Sequence, residues 1–296
     1  MKTLIDRNIV RKDSFKSNLI TQTKESHPPI FSWIEFSLSG LCNRVCEFCP
    51  RVDPIKFPNL NEHMSIEVYA GVIDDLKKIN FKGGIIYSGF SEPILYKHHL
   101  EAISLTRKSL PENRIELITN GDHLKKEKLL ELFKAGLTQI SVSLYDGPHQ
   151  IEKFRQLQKE ANLSDVQFDL RHRWQKEDGY GINITNRAGA IKMPEHNVNE
   201  LKQGLKKKCF YPFYQIMIDY DGAALLCNHD WHKKLVLGNI KNESILKIWD
   251  SEILKKTRNN LSNAMRIDSP CNECDANGTM MGGEYVEEWK KYYDKK

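Results

Sequence analysis

Hydrophobic and polar residues follow two alternating periods over the first two-thirds of the chain. Short apolar runs bounded by turn residues are typical of buried strands, and apolar residues spaced three and four apart are typical of amphipathic helices. Runs that predict strands lie at 32–38, 84–88, 114–119, 139–144 and 166–171. Stretches that predict helices lie between them, at 64–77, 98–110, 125–136 and 150–162. Ser65 is the expected N-cap of the first helix, and Gly136 the expected stop of the third.

This alternation predicts the fold class. A strand followed by a helix, repeated with short turns, indicates a parallel sheet with right-handed crossovers. About five units can be counted and a sixth is unclear, which is fewer than a closed eight-unit barrel requires. We therefore expect an α/β fold with an open sheet. Ligands in such folds bind at the C-terminal ends of the strands.

The pattern changes after residue 208. Residues 216–220 and 223–226 predict a hairpin whose two-residue turn is Asp221-Gly222, and helices are expected at 245–249 and 252–261. We place a domain boundary between Gly189 and Cys209. The predicted organisation has three parts: an N-terminal arm (1–30), an α/β domain (31–195) and a small α+β domain (196–296).

Composition narrows the function classes. The chain has 296 residues, of which 40% are hydrophobic and 28% charged, as in an ordinary globular protein. Its net charge of +5 permits an anionic substrate, but it is not the concentrated basic footprint of a nucleic-acid-binding protein. No apolar run approaches the ~20 residues of a membrane span, and the N-terminus lacks a secretory signal pattern. Seven cysteines, an odd number, fit a disulfide framework poorly, so we expect a reducing cytoplasm.

Three of these cysteines lie within eight residues. Cys42, Cys46 and Cys49 follow the first predicted strand with the spacing C-x3-C-x2-C. Cubane iron–sulfur clusters normally take four cysteine ligands, so three ligands leave one iron with an open coordination position. A partial zinc site is the alternative interpretation.

With Phe48 directly before the third cysteine, this motif resembles that of the radical S-adenosylmethionine (SAM) superfamily. The resemblance implies a partial (β/α)6-type TIM barrel and a 4Fe–4S cluster whose open iron is chelated by the amino and carboxylate groups of SAM. It further implies that an electron from the cluster cleaves SAM to a deoxyadenosyl radical. Phe48 would pack beside the adenine.

Residues 88–93, Ser-Gly-Phe-Ser-Glu-Pro, resemble the Gly-Gly-Glu-Pro element of that family. The resemblance implies that Gly89, Ser91 and Glu92 contact the methionyl ammonium group of SAM. Ser91 replaces the second glycine, so the backbone contact there departs from the family pattern. The alternative is a strand-end turn with a solvated Glu92.

Polar residues at the ends of later strands are further candidates. By resemblance, Ser143 and Asn120 would reach the ribose hydroxyls and carboxylate of SAM, although Asn120 and Asp146 both precede glycine and could equally be turn formers. Arg171 could clamp the SAM carboxylate or face the substrate as a catalytic residue, and a surface salt bridge is the alternative. Arg187, in a stretch that resembles a segment of family members, is a second candidate.

The remaining four cysteines form a second set. With Gly222 they resemble the SPASM and twitch domains, which bind auxiliary 4Fe–4S clusters: Cys209, Cys227, Cys271 and Cys274. Four cysteines are enough for one further cluster, and a tetrahedral zinc site is the alternative. Because four ligands would saturate the cluster, the resemblance implies outer-sphere electron transfer and not substrate binding to an open iron.

The layout resembles the aminocyclitol and sugar dehydrogenases of this group. That resemblance implies oxidation or epimerisation of a small polar molecule (a sugar, cyclitol or nucleotide-linked sugar), with SAM, two 4Fe–4S clusters and an external reductant such as flavodoxin or ferredoxin. A peptide- or protein-modifying maturase is the alternative enzyme, and a zinc-binding adaptor is the non-catalytic alternative. The absence of an added RNA-binding module in the sequence argues against RNA modification.

Overall fold

A computed structural model of the protein describes residues 28–176, 179–180, 184–278 and 281–295. The predicted N-terminal arm therefore lies almost entirely outside the described residues. The strands are β1 (Trp33–Ser37), β2 (Gly84–Tyr87), β3 (Ile115–Thr119), β4 (Gln139–Leu144), β5 (Phe168–His172), β6 (Gln175–Lys176), β7 (Gly179–Tyr180), β8 (Gln215–Asp219), β9 (Ala223–Leu225) and β10 (Val236–Asn239). The α-helices are α1 (Ile66–Lys78), α2 (His99–Ser109), α3 (Lys126–Ala135), α4 (His149–Glu160), α5 (Tyr211–Tyr214), α6 (Ile245–Trp249), α7 (Glu252–Ser262) and α8 (Val286–Tyr293).

One mixed sheet organises the fold. Its strand order is β10-β9-β8-β1-β2-β3-β4-β5, and β6 pairs with β7 in a separate two-stranded ribbon. Strands β1 to β5 are parallel, with helices α1 to α4 in the four crossovers between them. The predicted α/β class and open, parallel-dominated sheet are confirmed. None of the helices in the described ranges is long and apolar enough to cross a membrane.

Strand β1 lies between β2 and β8 and is buried along its whole length. It pairs in parallel with both neighbours, so that Phe36 is opposite Tyr87 on one side and Ile218 on the other. Its single carboxylate, Glu35, accepts a hydrogen bond from the Gln215 side-chain amide at 2.6 Å. The segment after residue 208 thus continues the sheet of the α/β part instead of forming a separate layer.

The β8–β9 hairpin corrects one prediction. Met217 pairs with Leu225 and Ile218 with Ala224, which leaves three residues, 220–222, in the loop instead of two. Gly222 has a left-handed backbone (φ 87°), and its N–H donates to the Asp219 carbonyl at 2.9 Å. A three-residue hairpin loop commonly ends with a left-handed residue, so the glycine was correctly identified as a turn residue but the turn type was wrong.

Element ends follow local sequence signals elsewhere. The Ser65 hydroxyl caps α1 by accepting from the Val68 N–H at 3.3 Å. Gly136 ends α3 with φ 116°, and its N–H bonds to the Phe133 carbonyl at 3.0 Å. Strand β5 begins at Phe168, two residues later than predicted.

Replacing Gly136 should destabilise the protein, because a Cβ there would lie 2.5 Å from the Cβ of Arg107 and the backbone is left-handed. We expect Gly136→Ala to lower the free energy of unfolding by about 1–2 kcal/mol. Gly71 is the matched control: it lies exposed within α1, and a Cβ there would meet nothing within 4 Å. Gly71→Ala should raise stability by about 0.5–1 kcal/mol. Urea unfolding measures both variants, and equal effects of the two substitutions would contradict the conformational role of Gly136.

Candidate functional site

The cysteine loop after β1 is fixed to the segment that follows it. The Gly40 N–H donates to the Glu62 carbonyl at 2.9 Å, and the Leu60 N–H donates to the Gly40 carbonyl at 3.1 Å. The Asn59 side chain bonds both backbone groups of Cys42, accepting from its N–H at 2.8 Å and donating to its carbonyl at 3.0 Å. The backbone that carries the first cysteine is therefore held from both sides.

Arg44, between the first two cysteines, fixes the loop to the ends of β3 and β4. Its guanidinium donates two hydrogen bonds of 2.6 Å to Asp122 and two, of 2.7 and 2.8 Å, to Asp146. The Asn43 side chain adds a hydrogen bond of 2.7 Å to Asp122. These carboxylates raise the pKa of Arg44, Asp122 first, and the guanidinium lowers the pKa of both carboxyl groups. We call this arrangement the Arg44 latch.

The three thiols of the loop are free and partly buried. Burial raises the pKa of Cys42, Cys46 and Cys49, and Cys46 reaches about 12 because the thiolates of the other two add repulsion. The three sulfur atoms thus lie close enough to repel one another when ionised. A cationic iron–sulfur cluster would relieve that repulsion, so the donor set fits the expected group.

Glu92 is buried at the end of β2, with 3% of its surface exposed. Its carboxylate accepts from the Thr119 hydroxyl at 2.6 Å, the Asn120 N–H at 2.9 Å and the Ile94 N–H at 3.4 Å. Burial raises the pKa of Glu92 to about 7, against the lowering effect of these donors. The alternative of a solvated Glu92 is therefore wrong. A buried carboxylate of this kind is suited to receive a cation, and its contact with SAM stays a prediction.

The residues before Glu92 are constrained by β1 and β8. Gly89 has φ 91°, and a Cβ there would lie 2.8 Å from both the Ser37 Cβ and the Met217 Cε. Ser91 makes a side-chain hydrogen bond of 3.3 Å with Ser37. Gly89 is thus required because its backbone is left-handed and a Cβ would clash with its neighbours. Ser91, at the position of the second glycine, is accommodated by its hydrogen bond with Ser37.

Asn120 and Ser143 occupy different roles. The side-chain oxygen of Asn120 (Oδ1) accepts from the Asp122 N–H at 2.9 Å, as in an Asx turn, and the side-chain amide of Asn120 donates to the Asn43 side-chain oxygen at 2.8 Å. Asn120 is therefore a turn former that also contacts the cysteine loop. Ser143 is buried on β4 and pairs in register with Arg171 on β5. Contacts of either residue with SAM stay predictions.

Arg171 is buried, with 9% of its surface exposed, so it is not a surface salt-bridge residue. Arg173, two positions on and equally buried, bonds through its backbone N–H to the Leu144 carbonyl at 2.8 Å. A cleft of about 680 Å³ opens beside β4 and β5, with Cys46, Phe48, Tyr145 and Trp174 among its walls. The Phe48 and Tyr145 rings pack 5.5 Å apart. These aromatic walls fit a flat ring such as adenine.

The second cysteine set is assembled from distant segments. Cys209 precedes α5 and Cys227 follows β9. Cys271 is the first residue of a single 3-10 turn, and Cys274 directly follows that turn. Burial and neighbouring thiolates raise the pKa of Cys227, Cys271 and Cys274, the last to about 11. No three Cys, His, Asp or Glu side chains in the described ranges are placed to hold a single metal ion.

Sequence reasoning missed Arg266, which joins these segments. The side chain is buried, and its guanidinium donates to the carbonyls of Lys207 (3.0 Å), Cys274 (3.3 Å) and Ala276 (2.6 Å). One side chain thus bridges the approach to Cys209 and the exit from Cys274. An arginine whose partners are backbone carbonyls leaves no motif, so only the fold identifies it.

Arg187 follows Asn186, which is bonded to the residues on either side of Cys274. The Asn186 N–H donates to the Asp275 carboxylate at 2.8 Å, and the Asn186 side-chain amide donates to the Glu273 carbonyl at 2.7 Å. Burial lowers the pKa of Arg187, and the thiolates of Cys49 and Cys274, one from each set, act in the opposite direction. Burial followed by the charge of Arg187 lowers the pKa of His229 to about 3.

Two family models match the chain. Residues 36–165 match the radical SAM superfamily, and residues 209–275 match SPASM, described as an iron–sulfur cluster-binding domain. The first range begins within β1 and ends after α4. The second contains all four cysteines of the second set.

Two individual proteins and one solved structure are also similar to this chain. The chain is 25% identical over 247 residues to the S-adenosyl-L-methionine-dependent 2-deoxy-scyllo-inosamine dehydrogenase of Niallia circulans, covering 83% of this chain and 93% of that protein. It is 32% identical over 129 residues to the GTP 3',8-cyclase of Helicobacter pylori (strain HPAG1), covering 40% of this chain and 36% of that protein. The crystal structure of BtrN in complex with AdoMet and 2-DOIA superposes with a TM-score of 0.69 at 23% identity, covering 87% of this chain and 98% of that one, which shows a shared fold.

Weakening the Arg44 latch should destabilise the protein. Lysine keeps the charge of Arg44 but cannot bond Asp122 and Asp146 bidentately. We expect Arg44→Lys to lower the free energy of unfolding by about 1.5–3 kcal/mol, the contribution of hydrogen bonds to charged groups. Anaerobic urea unfolding of the reconstituted protein measures it. Arg155→Lys is the control, because Arg155 pairs at 3.0 Å with Asp165, which is 87% exposed, and should change stability by less than about 1 kcal/mol. Equal losses in both variants would contradict the latch.

Proposed function

We propose, from the premise that this chain is a radical SAM enzyme with a C-terminal SPASM domain, that it oxidises or epimerises a small polar molecule of the sugar or cyclitol class. The observation that carries the proposal is the similarity to 93% of the length of an aminocyclitol dehydrogenase, and it is supported by the hydrogen bonds that hold the segment of Arg187 beside Cys274. A substrate held there would be close to both sets.

The first set would hold the SAM-binding 4Fe–4S cluster through Cys42, Cys46 and Cys49. Glu92 would receive the ammonium group of SAM, with Gly89, Ser91, Asn120 and Ser143 around it, and Phe48 would cover the adenine. When bound, the cluster and SAM supply a deoxyadenosyl radical that removes a hydrogen atom from an unactivated C–H bond.

Two arginines, the buried Arg171 and the half-buried Arg187, would act on negative charge. We assign Arg171, in register with Ser143, to the SAM carboxylate, because a planar guanidinium binds carboxylates bidentately. We assign Arg187 to a substrate hydroxyl, since a nearby cation favours its deprotonated form. His229, whose pKa burial and the charge of Arg187 lower to about 3, would accept a hydrogen bond at a ring nitrogen.

The second set would hold the auxiliary 4Fe–4S cluster through all four of its cysteines: Cys209, Cys227, Cys271 and Cys274. Four thiolates satisfy four irons and leave no open position. We keep the domain boundary predicted from the sequence, with domains at 31–195 and 196–296, although strand β8 of the second domain extends the sheet of the first. A one-electron donor protein of the flavodoxin or ferredoxin class would reduce the first cluster, in a reducing cytoplasm that keeps the seven thiols free.

An anaerobic assay tests the proposal. The reconstituted protein should hold about eight irons with matching sulfide. With SAM, dithionite and 2-deoxy-scyllo-inosamine it should release deoxyadenosine and a product lacking two hydrogens, read by mass spectrometry. Related aminocyclitols and sugars extend the substrate panel, and a short peptide panel tests the maturase alternative.

Cysteine variants separate the two sets. Replacing Cys42, Cys46 and Cys49 with alanine should remove about half of the iron and all deoxyadenosine release. Replacing Cys209, Cys227, Cys271 and Cys274 should remove the other half and abolish substrate oxidation, while SAM is still cleaved. Zinc in place of iron, with no deoxyadenosine from the wild type, would overturn the enzyme proposal.

SAM binding should depend on the ionisation of Glu92. Its pKa of about 7 means that the carboxyl is neutral below that pH and a carboxylate above it. We expect wild-type affinity for SAM to rise between pH 6 and 8 (~10-fold per pH unit at most) with a midpoint near 7. Glu92→Gln should bind about 10- to 150-fold more weakly at pH 8, the loss of a hydrogen bond to a charged group.

Equilibrium dialysis with labelled SAM measures both effects. The Glu92→Gln variant also removes the contribution of Glu92 from the pH profile, so any remaining slope belongs to SAM itself. Glu62→Gln is the control, because Glu62 is exposed beside the cysteine loop. A wild-type profile that matches that of Glu92→Gln would contradict the assignment.

A further inference from the structure

The loop that follows Cys227 is held rigid by a buried carboxylate. Asp230 is 1% exposed and accepts from the backbone N–H groups of Lys234 and Leu235, both at 2.9 Å. Lys233, inside the same loop, forms ion pairs of 2.7 Å with Asp219 and with Asp221 in the β8–β9 hairpin. We call residues 227–235 the Cys227 loop. Its conformation is fixed from within and from the hairpin, so a side chain at its tip has a defined position.

Trp231 is the side chain at that tip, and it reaches across to the SAM-binding motif. Its ring packs on Phe90 with centroids 4.3 Å apart and the ring planes tilted by 38°. The Phe57 ring meets the tryptophan edge-on, at 5.8 Å and 85°. Phe90 and Phe57 are both buried, and Phe90 lies two residues before Glu92. The loop of the second cysteine set thus rests directly on the loop proposed to bind SAM.

Arg51 links the segment of the first cysteine set to the contact between Trp231 and Phe90. It lies two residues after Cys49, and its guanidinium donates to the Phe90 carbonyl at 2.8 and 3.1 Å and to the Gly40 carbonyl at 2.9 Å. The same guanidinium lies 5.9 Å from the centre of the Trp231 ring. Arg51 is 7% exposed, so these interactions are screened little by water. Trp231 therefore contacts Phe90 of the SAM-binding motif directly. It also lies beside Arg51, which is bonded to the Gly40 carbonyl before the cysteine loop.

We infer that Trp231 is a positioning residue that couples the SAM-binding loop to the second cysteine set. The inference rests on the proposed function, since it takes SAM to bind beside Glu92. If SAM orders residues 88–92, Phe90 is held more firmly against Trp231. The transient local openings of the Cys227 loop that allow hydrogen exchange then become less frequent. Thermodynamic linkage requires the converse as well: a well-seated Cys227 loop favours SAM binding by the same factor.

Hydrogen–deuterium exchange of the reconstituted holoenzyme tests this coupling without turnover. In the wild type, SAM should slow exchange at 88–92 and also, by about 2- to 12-fold, at 228–235. That range is the ~0.5–1.5 kcal/mol of an aromatic pair converted at 1.36 kcal/mol per tenfold. Trp231→Ala should abolish the SAM effect at 228–235 and weaken SAM binding by the same factor. Trp231→Phe, which keeps a ring on Phe90, should retain most of both.

The control is Tyr292→Ala. Tyr292 is a half-buried aromatic on α8 that packs edge-on against Trp289 at 5.8 Å and donates to the Asp250 carboxylate at 2.7 Å, and its loss should leave the SAM effect at 228–235 unchanged. If Trp231→Ala does not fold, Trp231→Leu, which keeps bulk but no ring, is expected to give the same result. Iron content confirms that each variant is loaded.

The possible outcomes distinguish failure of the Trp231 coupling from failure of the proposed SAM binding. Protection at 88–92 with none at 228–235 in the wild type would overturn the coupling and leave SAM binding intact. Persistence of the effect in Trp231→Ala, or its loss in Tyr292→Ala, would overturn the assignment to Trp231. Protection at neither segment would refute SAM binding, and the inference would fail with it.

Discussion

The pairing of β1 with β8 is the constraint on which the rest of the structure depends. Backbone hydrogen bonds align Trp33 with Gln215 and Ser37 with Asp219, and so place the C-terminal hairpin beside the strand that leads into the cysteine loop. Met217 and Leu225 of that hairpin then pack with Phe90 in one small buried cluster. This pairing joins the C-terminal hairpin to the part of the sheet that leads into the first cysteine set, and the contacts of Trp231 with Phe90 and Arg51 add to it.

Sequence patterns predicted the local structure because the signals there are local. The apolar periods located the five parallel strands and their helices, and capping residues such as Ser65 and Gly136 set element ends to within a residue or two. The first cysteine set was proposed from its short C-x3-C-x2-C spacing, whereas the second was proposed by resemblance, because its cysteines come from distant segments of the chain. The start of β5 was predicted two residues early, because residues 164–167 form a turn in which the Gln167 and Phe168 N–H groups donate to the Ser164 carbonyl, both at 3.0 Å.

The features that were not predicted are long-range. The β1–β8 pairing joins residues far apart in the chain, and nothing in the apolar run at 216–220 specifies its partner. Arg44, Arg51 and Arg266 read in the sequence as ordinary basic residues. Their importance comes from what surrounds them: two carboxylates for the first, and mostly backbone carbonyls for the others. The same holds for Glu92. The motif identified the residue, but two of its hydrogen-bond donors, Thr119 and Asn120, lie at the end of β3 and could not be assigned to it from the sequence.

Arg266 has a consequence for how the protein is built. Closing a long stretch of chain is entropically unfavourable, and in small metalloproteins the metal itself provides the closure. Here the Arg266 guanidinium joins the carbonyls around Cys209 and Cys274, so the polypeptide itself contributes to closing the stretch between these two cysteines. The entropic cost of bringing the two segments together is therefore shared between protein hydrogen bonds and the inorganic centre, and does not fall on metal ligation alone.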